Sequence, residues 1–446
     1  MLFVFYLIKK GKGYRRLVIM LAFLQICTLF LNSVYTYMQN RNAAYCNAQE
    51  YAESVVKIGP VIEMAKSRDD GLYRMENLEK RNNNDSMHFS YAGLTHYSSN
   101  EKNFVLGFLE KMGLNYNLLY VEYGNGTTQT VDSLLGVKYL IGSENTINKS
   151  YPAVLEENGL TVYQNPYALP LGFLADRQIR YVDMEEVNPF ALQNAMYKKA
   201  AGSKEDNLKD VEIKEIRIEN CTEENQEDVT LYHRKDENNP IRVTYELETL
   251  AEGRVYAYLT AQDRLQSAGI YVNGEFLCGY LNRSNWKVLN LGKYRKGEHI
   301  TFTVQLNEDK LWLENAYFVT EDEEAIARNY GLITENKVNV KKESSSHLKV
   351  TTDSDEEELL VLSIPYEENW KIWVDGSKSS GEMVYDTFLA IALEPGKHEI
   401  ILRYIPKGMI AGIFISLVSI GILSFLLAIG RTRRKEERIC EEQGAV

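Results

Sequence analysis

Met409-Ile410-Ala411-Gly412-Ile413-Phe414-Ile415-Ser416-Leu417-Val418-Ser419-Ile420-Gly421-Ile422-Leu423-Ser424-Phe425-Leu426-Leu427-Ala428-Ile429-Gly430 runs without a charge and stops at Arg431-Thr432-Arg433-Arg434-Lys435. An apolar run of about 20 residues is long enough to cross a hydrocarbon core of roughly 30 Å as a helix. A second such run, Leu17–Tyr37, follows the basic stretch Lys9-Lys10-Gly11-Lys12-Gly13-Tyr14-Arg15-Arg16. Lys and Arg accumulate on the cytoplasmic side of spans, so both clusters, and with them both termini, are expected in the cytoplasm. The roughly 370 residues between the spans are then expected outside the membrane as one block. The chain reads as a multi-pass cell-membrane protein with two complete transmembrane helices, residues 17–37 and 409–430. A cytoplasmic N-terminus (residues 1–16) and a cytoplasmic tail (residues 431–446) flank them.

A cleaved leader is the competing reading of the first span. Asn32-Ser33-Val34-Tyr35-Thr36-Tyr37 lacks a small-x-small cleavage site, and Ala43-Ala44-Tyr45-Cys46 lies too far beyond the apolar run for a lipoprotein. Tyr35 and Tyr37 suit interfacial anchors instead. Leu2-Phe3-Val4-Phe5-Tyr6-Leu7-Ile8 is too short to cross a bilayer and ends at the basic loop. It reads either as a short apolar N-terminus or as the remnant of a preceding span. In the second case the chain is the C-terminal part of a larger polytopic protein.

The chain carries 50 basic and 62 acidic residues. Residues 1–16 and 431–446 hold 10 basic and 4 acidic ones, leaving 40 against 58 for the remainder, a net of −18. That acidity argues against nucleic acid and against capture of a polyanion by broad attraction. Thirty Tyr and nine Pro suit a folded, strand-rich region. Cys46, Cys221 and Cys278 are the external cysteines, too few for a disulfide framework; one bridge or three free thiols are the readings.

Periodicity sorts the outer block into three regions. Helices at Asn47–Lys66, Phe104–Leu114 and Phe190–Ala200 alternate with strands at Gly71–Met75, Lys138–Ile141 and Leu160–Tyr163, giving an extracytoplasmic α/β domain over 45–200. Asn188 then Pro189 reads as a helix cap followed by proline at the first helical position. Ala201–Lys209 reads as a linker. Short alternating strands follow at Ile241–Leu247, Val255–Thr260, Gly269–Val272, His299–Gln305 and Trp312–Val319, with Asn273-Gly274 as a hairpin turn, and predict an antiparallel β-sandwich over 210–325. A membrane-proximal β-sandwich is expected over 340–406, from Leu348–Thr352, Leu359–Ile364, Trp370–Val374, Phe388–Leu393 and Lys397–Tyr404.

Little here reads as catalytic. The six histidines are scattered, and no nucleophile elbow, phosphate loop or dinucleotide fingerprint occurs. No metal site and no cofactor are expected. Asp69-Asp70 before Gly71 reads as a turn, Glu321–Glu324 and Asp355–Glu358 as solvated loops, and Asn125-Gly126-Thr127 as a chance sequon. Trp370 and Trp373 read as sandwich core and hairpin flank. The most polar non-repetitive segment is Thr95, His96, Tyr97, Ser98, Ser99 and Asn100. Its hydroxyls, imidazole and amide suit a capping turn before the next helix, or directed hydrogen bonds to a sugar or phosphate.

Several phrases in this order resemble the C-terminal half of the bacterial YfhO family of polytopic membrane proteins. They are Gly71–Met75, Thr95–Asn100, Asp132–Ile141, Asn165–Phe173, Asn188-Pro189-Phe190, Ile364–Trp370 with Val374-Asp375-Gly376, and Tyr404–Gly408. The resemblance implies a glycosyltransferase of the GT-C type, moving sugar from a polyprenyl-phosphate donor to a cell-wall polymer such as lipoteichoic acid. Such enzymes keep their acidic catalytic residues in an early outer loop within a many-span bundle. The matched part therefore brings no catalytic residue, and the chain is expected to be a fragment, a shortened product, or half of a split enzyme with an upstream multi-span partner. Thr95–Asn100 are the substrate-contact candidates, and the outer domains would shape acceptor access. The alternative is a non-enzymatic anchored surface protein that binds carbohydrate or a protein.

Overall fold

The computed structural model describes residues 14–40, 47–100, 102–117, 120–124, 126–143, 150–226, 229–261, 265–282 and 286–443. The Met1–Ile8 run, the basic residues 9–13, Cys46 and Asn125 of the sequon lie outside the described residues. The chain divides into two units, Met1–Ile58 and Gly59–Val446.

The first unit contains the helix Tyr14–Asn40 and the start of the helix Ala48–Ser67. Ile19–Gln39 is apolar and long enough to cross a membrane, and none of it is buried within the protein. Ser33 and Thr28 return their hydroxyls to Leu29 O and Leu24 O, both at 2.8 Å. An apolar surrounding therefore meets no unsatisfied donor from these two side chains.

The second unit is a largely β-sheet body with antiparallel sheets, ending in the helix Met409–Gln443. In a four-stranded sheet, Arg74–Asn77 runs parallel to Val137–Gly142, which pairs antiparallel with Leu160–Gln164, followed by Ala153–Glu157. Helices Asn103–Lys111, Gln129–Leu134 and Pro189–Ala201 pack around it, with Leu106, Leu134, Leu140 and Leu192 in one core. The Asn188 cap is as expected, accepting from Phe190 N at 3.0 Å with proline first in the helix.

The second core lies between a five-stranded and a four-stranded antiparallel sheet. Val243, Tyr245 and Phe302 from one meet Ala257, Leu259 and Phe318 from the other, and the Tyr245 and Phe302 rings stand 5.3 and 5.1 Å from Phe318. Asn273 and Gly274 both have positive φ, the hairpin geometry their sequence demands. Three expectations are corrected here. Trp312–Val319 is two strands, Lys310–Leu313 and Asn315–Glu321, belonging to different sheets. The end of the expected linker, Leu208–Asp210, is a strand paired with Asn315–Glu321. Glu321–Glu324 is no loop: Glu321 is buried, Asp322 caps Glu323–Ile333 by accepting from Ala325 N at 3.0 Å, and Glu323 and Glu324 occupy the first turn, where the helix dipole favours them.

The third core is walled by the five-stranded sheet containing His347–Ser354, Gly396–Tyr404 and Trp370–Val374. Its opposite wall is Glu382–Val384, Phe388–Leu393, Glu358–Pro365 and Gly172–Ala175. That wall is apolar on both faces. Leu360, Leu362, Leu389 and Leu174 enter the third core, while Leu359, Val361, Phe388 and Phe173 enter the first. Side chains alternate across a strand, so one sheet serves two cores. Glu358, expected in a loop, opens this wall's central strand. Arg74 ties the layers together, donating to Leu135 O and Ser363 O at 2.5 Å each and to Ser363 Oγ at 3.2 Å.

Candidate functional site

The strand Gly396–Tyr404 runs almost directly into the C-terminal apolar helix. Only Ile405-Pro406-Lys407-Gly408 intervenes, with Gly408 at φ 82° and Met409 N bonded to Pro406 O at 3.2 Å. A left-handed residue at this reversal is far less costly as glycine. Met409–Ile429 has a mean hydropathy of 2.6 and none of it is buried within the protein.

Against this root packs the loop before Trp370. Glu367 Oε2 accepts from Tyr404 Oη at 2.6 Å, Lys102 Nζ at 2.7 Å and Asn369 Nδ2 at 3.2 Å. Trp370 N returns to Glu367 O at 3.1 Å, and Ile405 N to Asn369 O at 3.1 Å. The Trp370 and Tyr404 rings meet edge to face at 5.1 Å, so Trp370 packs as expected. Lys407 pairs with Glu368. Burial pushes the Glu367 carboxyl up, but Lys102, Tyr404 and Asn369 outweigh it and hold the group below the usual carboxylate range.

Lys102 follows the Thr95–Asn100 segment. Thr95 is buried: its Oγ1 donates to Glu76 Oε2 at 2.8 Å and accepts from Tyr123 N at 3.1 Å, and its N donates to Glu76 Oε1 at 3.1 Å. Burial raises the Glu76 carboxyl, opposed by the N–H groups of Leu94 and Thr95 and by the Thr95 hydroxyl. His96 Nδ1 donates to Leu94 O at 2.7 Å, fixing the ring. His96–Tyr97 pairs with Tyr120–Glu122, and Tyr97 N reaches Asn84 Oδ1 at 2.8 Å. Ser98 Oγ accepts from Asn100 N at 3.2 Å. Tyr97, Ser99 and Asn100 remain exposed. Thr95 is thus committed to the fold, while a phenol, a hydroxyl and an amide face outward, able to hydrogen-bond a polar ligand.

Sequence reasoning missed Glu76, Lys102 and Glu367. Glu367, Asn369 and Tyr404 sit in phrases that carry the family resemblance, but no spacing rule connects positions so far apart; Lys102 gave no signal. Asp132, in another such phrase, is buried and accepts from Tyr123 Oη at 2.9 Å and Tyr151 Oη at 2.6 Å, so its carboxylate serves the interior. Asp69 makes the expected turn, accepting from Gly71 N at 2.7 Å. A separate cleft of about 460 Å³ is lined by Gln129, Tyr151, Arg254, Lys293 and Glu321 among others. Among the described residues no group of three or more His, Cys, Asp or Glu could hold a metal ion, and Cys27, Cys221 and Cys278 are free thiols.

Residues 1–416 match the family model described as "Bacterial membrane protein YfhO". A relative, "Uncharacterized protein YfhO" of Bacillus subtilis (strain 168), is 24% identical over 412 residues, covering 84% of this chain. The chain spans only 44% of that relative's length. Among solved structures, the mycobacterial arabinofuranosyltransferase AftD overlaps 38% of this chain and 14% of its own, at 14% identity and a TM-score of 0.18. The CBM32 domains of Clostridium perfringens ZmpB in complex with GalNAc overlap 44% and 83%, at 9% identity and a TM-score of 0.19. Overlaps at this level bear on no function.

Proposed function

The chain belongs to the YfhO family of bacterial membrane proteins, and from that premise we propose that it works as the C-terminal part of a GT-C-type membrane glycosyltransferase. In this reading sugar passes from a polyprenyl-phosphate donor to a cell-wall polymer such as lipoteichoic acid. Both termini are cytoplasmic, residues 45–200, 210–325 and 340–406 form outer domains, and those domains shape acceptor access. The one-sided basic clusters support that topology. The greater length of the curated relative leaves room for a further part, which in this reading is an upstream multi-span half carrying the catalytic carboxylates.

The observation that carries the reading is the contact of Lys102, two residues beyond Asn100, with Glu367 and through it with Tyr404 at the root of the apolar helix. A lipid-linked donor is met at a membrane surface, and the exposed Tyr97, Ser99 and Asn100 belong to a segment tied to the start of a candidate span. The test joins this chain to its upstream half in liposomes with polyprenyl-phosphate-linked hexose and lipoteichoic acid. Loss of hydrogen bonds to a bound polar group, about 1–3 kcal/mol, should slow the Ser99→Ala/Asn100→Ala variant roughly 5- to 150-fold at unchanged Tm. A lowered Tm with normal turnover would assign the segment a structural role. Turnover by this chain alone would overturn the assignment of catalysis to an upstream half.

A further inference from the structure

The Thr95–Asn100 segment lies between two carboxylates. At one end the buried Glu76 takes the N–H groups of Leu94 and Thr95 and the Thr95 hydroxyl. At the other, Glu367 takes Lys102 Nζ at 2.7 Å. The first anchor belongs to the strand Arg74–Asn77 of the mixed sheet. The second belongs to the root of the C-terminal helix, where Glu367 is already ordered by Tyr404, Asn369 and the turn closed by Trp370 N.

An exposed ion pair usually contributes little, because two long side chains must both be ordered to form it. Here Lys102 meets an acceptor held by three other contacts, and it sits where the helix Asn103–Lys111 begins. That helix is fixed in turn by Leu106, Phe108 and Leu109 in the first core, with the Phe108 ring 5.0 Å from Phe388. On the membrane side, an extended residue covers at most about 3.6 Å, so Tyr404 lies within about 18 Å of the first residue of the helix.

We infer that Lys102, Glu367 and Tyr404 form a strut holding the Thr95–Asn100 segment at a fixed distance from the membrane-entering end of the C-terminal helix, with Glu367 as the positioning residue. The strut is independent of the proposed reaction; only its bearing on turnover rests on that reading. Without it the segment stays attached at Thr95, through the pairing of His96–Tyr97 with Tyr120–Glu122 and through Tyr97 N to Asn84, and the freed part is Ser98–Asn100.

The test uses the full chain in lipid nanodiscs, its native cysteines replaced, spin-labelled at Asn100→Cys and Phe414→Cys. Pulsed electron-electron resonance should read one narrow distance in the parent. Lys102→Met removes the strut but leaves the Glu367–Tyr404–Trp370 root intact, so its effect is not a misfolded root. It should raise the displaced population roughly 5-fold. Glu367→Ala should do at least as much, and Glu367→Gln, which still accepts from Tyr404, less. An unchanged distribution in Lys102→Met overturns the strut. A broadened distribution with normal sugar transfer by the assembled enzyme carrying Lys102→Met alone, unlabelled and with Asn100 intact, supports the strut and overturns substrate contact by this segment. Lost transfer with an unchanged distribution does the reverse.

Discussion

Replacing Arg74 by Met would show how the layers of the body are held together. Arg74 is half-buried, and desolvation pushes its pKa down to about 10, so it remains cationic at neutral pH. It donates to Leu135 O and Ser363 O at 2.5 Å and to Ser363 Oγ at 3.2 Å. Hydrogen bonds to a charged group contribute about 1.5–3 kcal/mol each, which sets a ceiling of roughly 4–9 kcal/mol for the three. Removing a buried charge recovers its desolvation cost, and an unbranched apolar side chain refills much of the space. What remains is chiefly the two orphaned carbonyls, about 1–3 kcal/mol apiece, so Arg74→Met should cost about 3–5 kcal/mol. Lysine is a point donor that reaches one carbonyl but not the fork, so Arg74→Lys should cost about half as much. Urea unfolding of the detergent-solubilised chain, followed by tryptophan fluorescence, measures both. A loss under about 1 kcal/mol for Met, or none for Lys, would show that the fork does not join the sheets.

Gly126→Ala should prevent folding or unfold the body at low urea, because a Cβ there would stand 1.7 Å from the backbone oxygen of Val288. Gly331→Ala, in the helix Glu323–Ile333 with nothing within 4 Å of its Cβ, should instead stabilise by about 0.5–1 kcal/mol in the same experiment. His398 sets a pH dependence. Burial lowers its pKa, but Asp375 Oδ2 at 2.7 Å and Glu394 O at 2.8 Å outweigh this and raise it above the usual imidazole value. Its stabilisation is therefore complete below about pH 6.5 and is lost as the pH rises through the higher folded value. The Tm difference between the parent and His398→Gln should shrink from about pH 6 to about pH 8; a constant or growing difference refutes the assignment.

Where a strand buries one face and closes on a strong turn, the sequence declared it. Trp370–Val374 and Phe388–Leu393 are found residue for residue, and Asn273-Gly274 and Asp375-Gly376 turn as their chemistry requires. Glu212–Glu219 escaped notice because its register slips between Ile213 and Glu215, so Ile213 falls out of step with Ile216 and Ile218, and as an edge strand it stays exposed along its length. Glu321–Glu324 was misleading in another way, since a charge run looks alike in a loop and in a helix cap. The candidate segment was legible as polar chemistry, but its anchors were not. Glu76 and Glu367 lie far from Thr95–Asn100 in the chain, and only tertiary pairing brings them to its ends.

The two-faced wall explains why those long-range links matter. Gly172–Ala175 pairs with Glu358–Pro365, placing a strand from the N-terminal half in a sheet otherwise built from residues 358–393. Because Val361 and Leu359 pack into the first core while Leu360 and Leu362 pack into the third, neither core can shift without the other. Arg74 pins the mixed sheet to the same strand at Ser363, two residues before Pro365 ends it. The Glu367 loop follows at once, and with it the root of the apolar helix. A continuous run of contacts thus joins the mixed sheet, along Glu358–Pro365, to Glu367, the residue that meets Lys102. A cavity cut in the shared wall, such as Val361→Ala, should loosen the Thr95–Asn100 segment as well as the sheet, read as a broadened Asn100–Phe414 spin-label distance; an unchanged distance at a lowered Tm would refute the link.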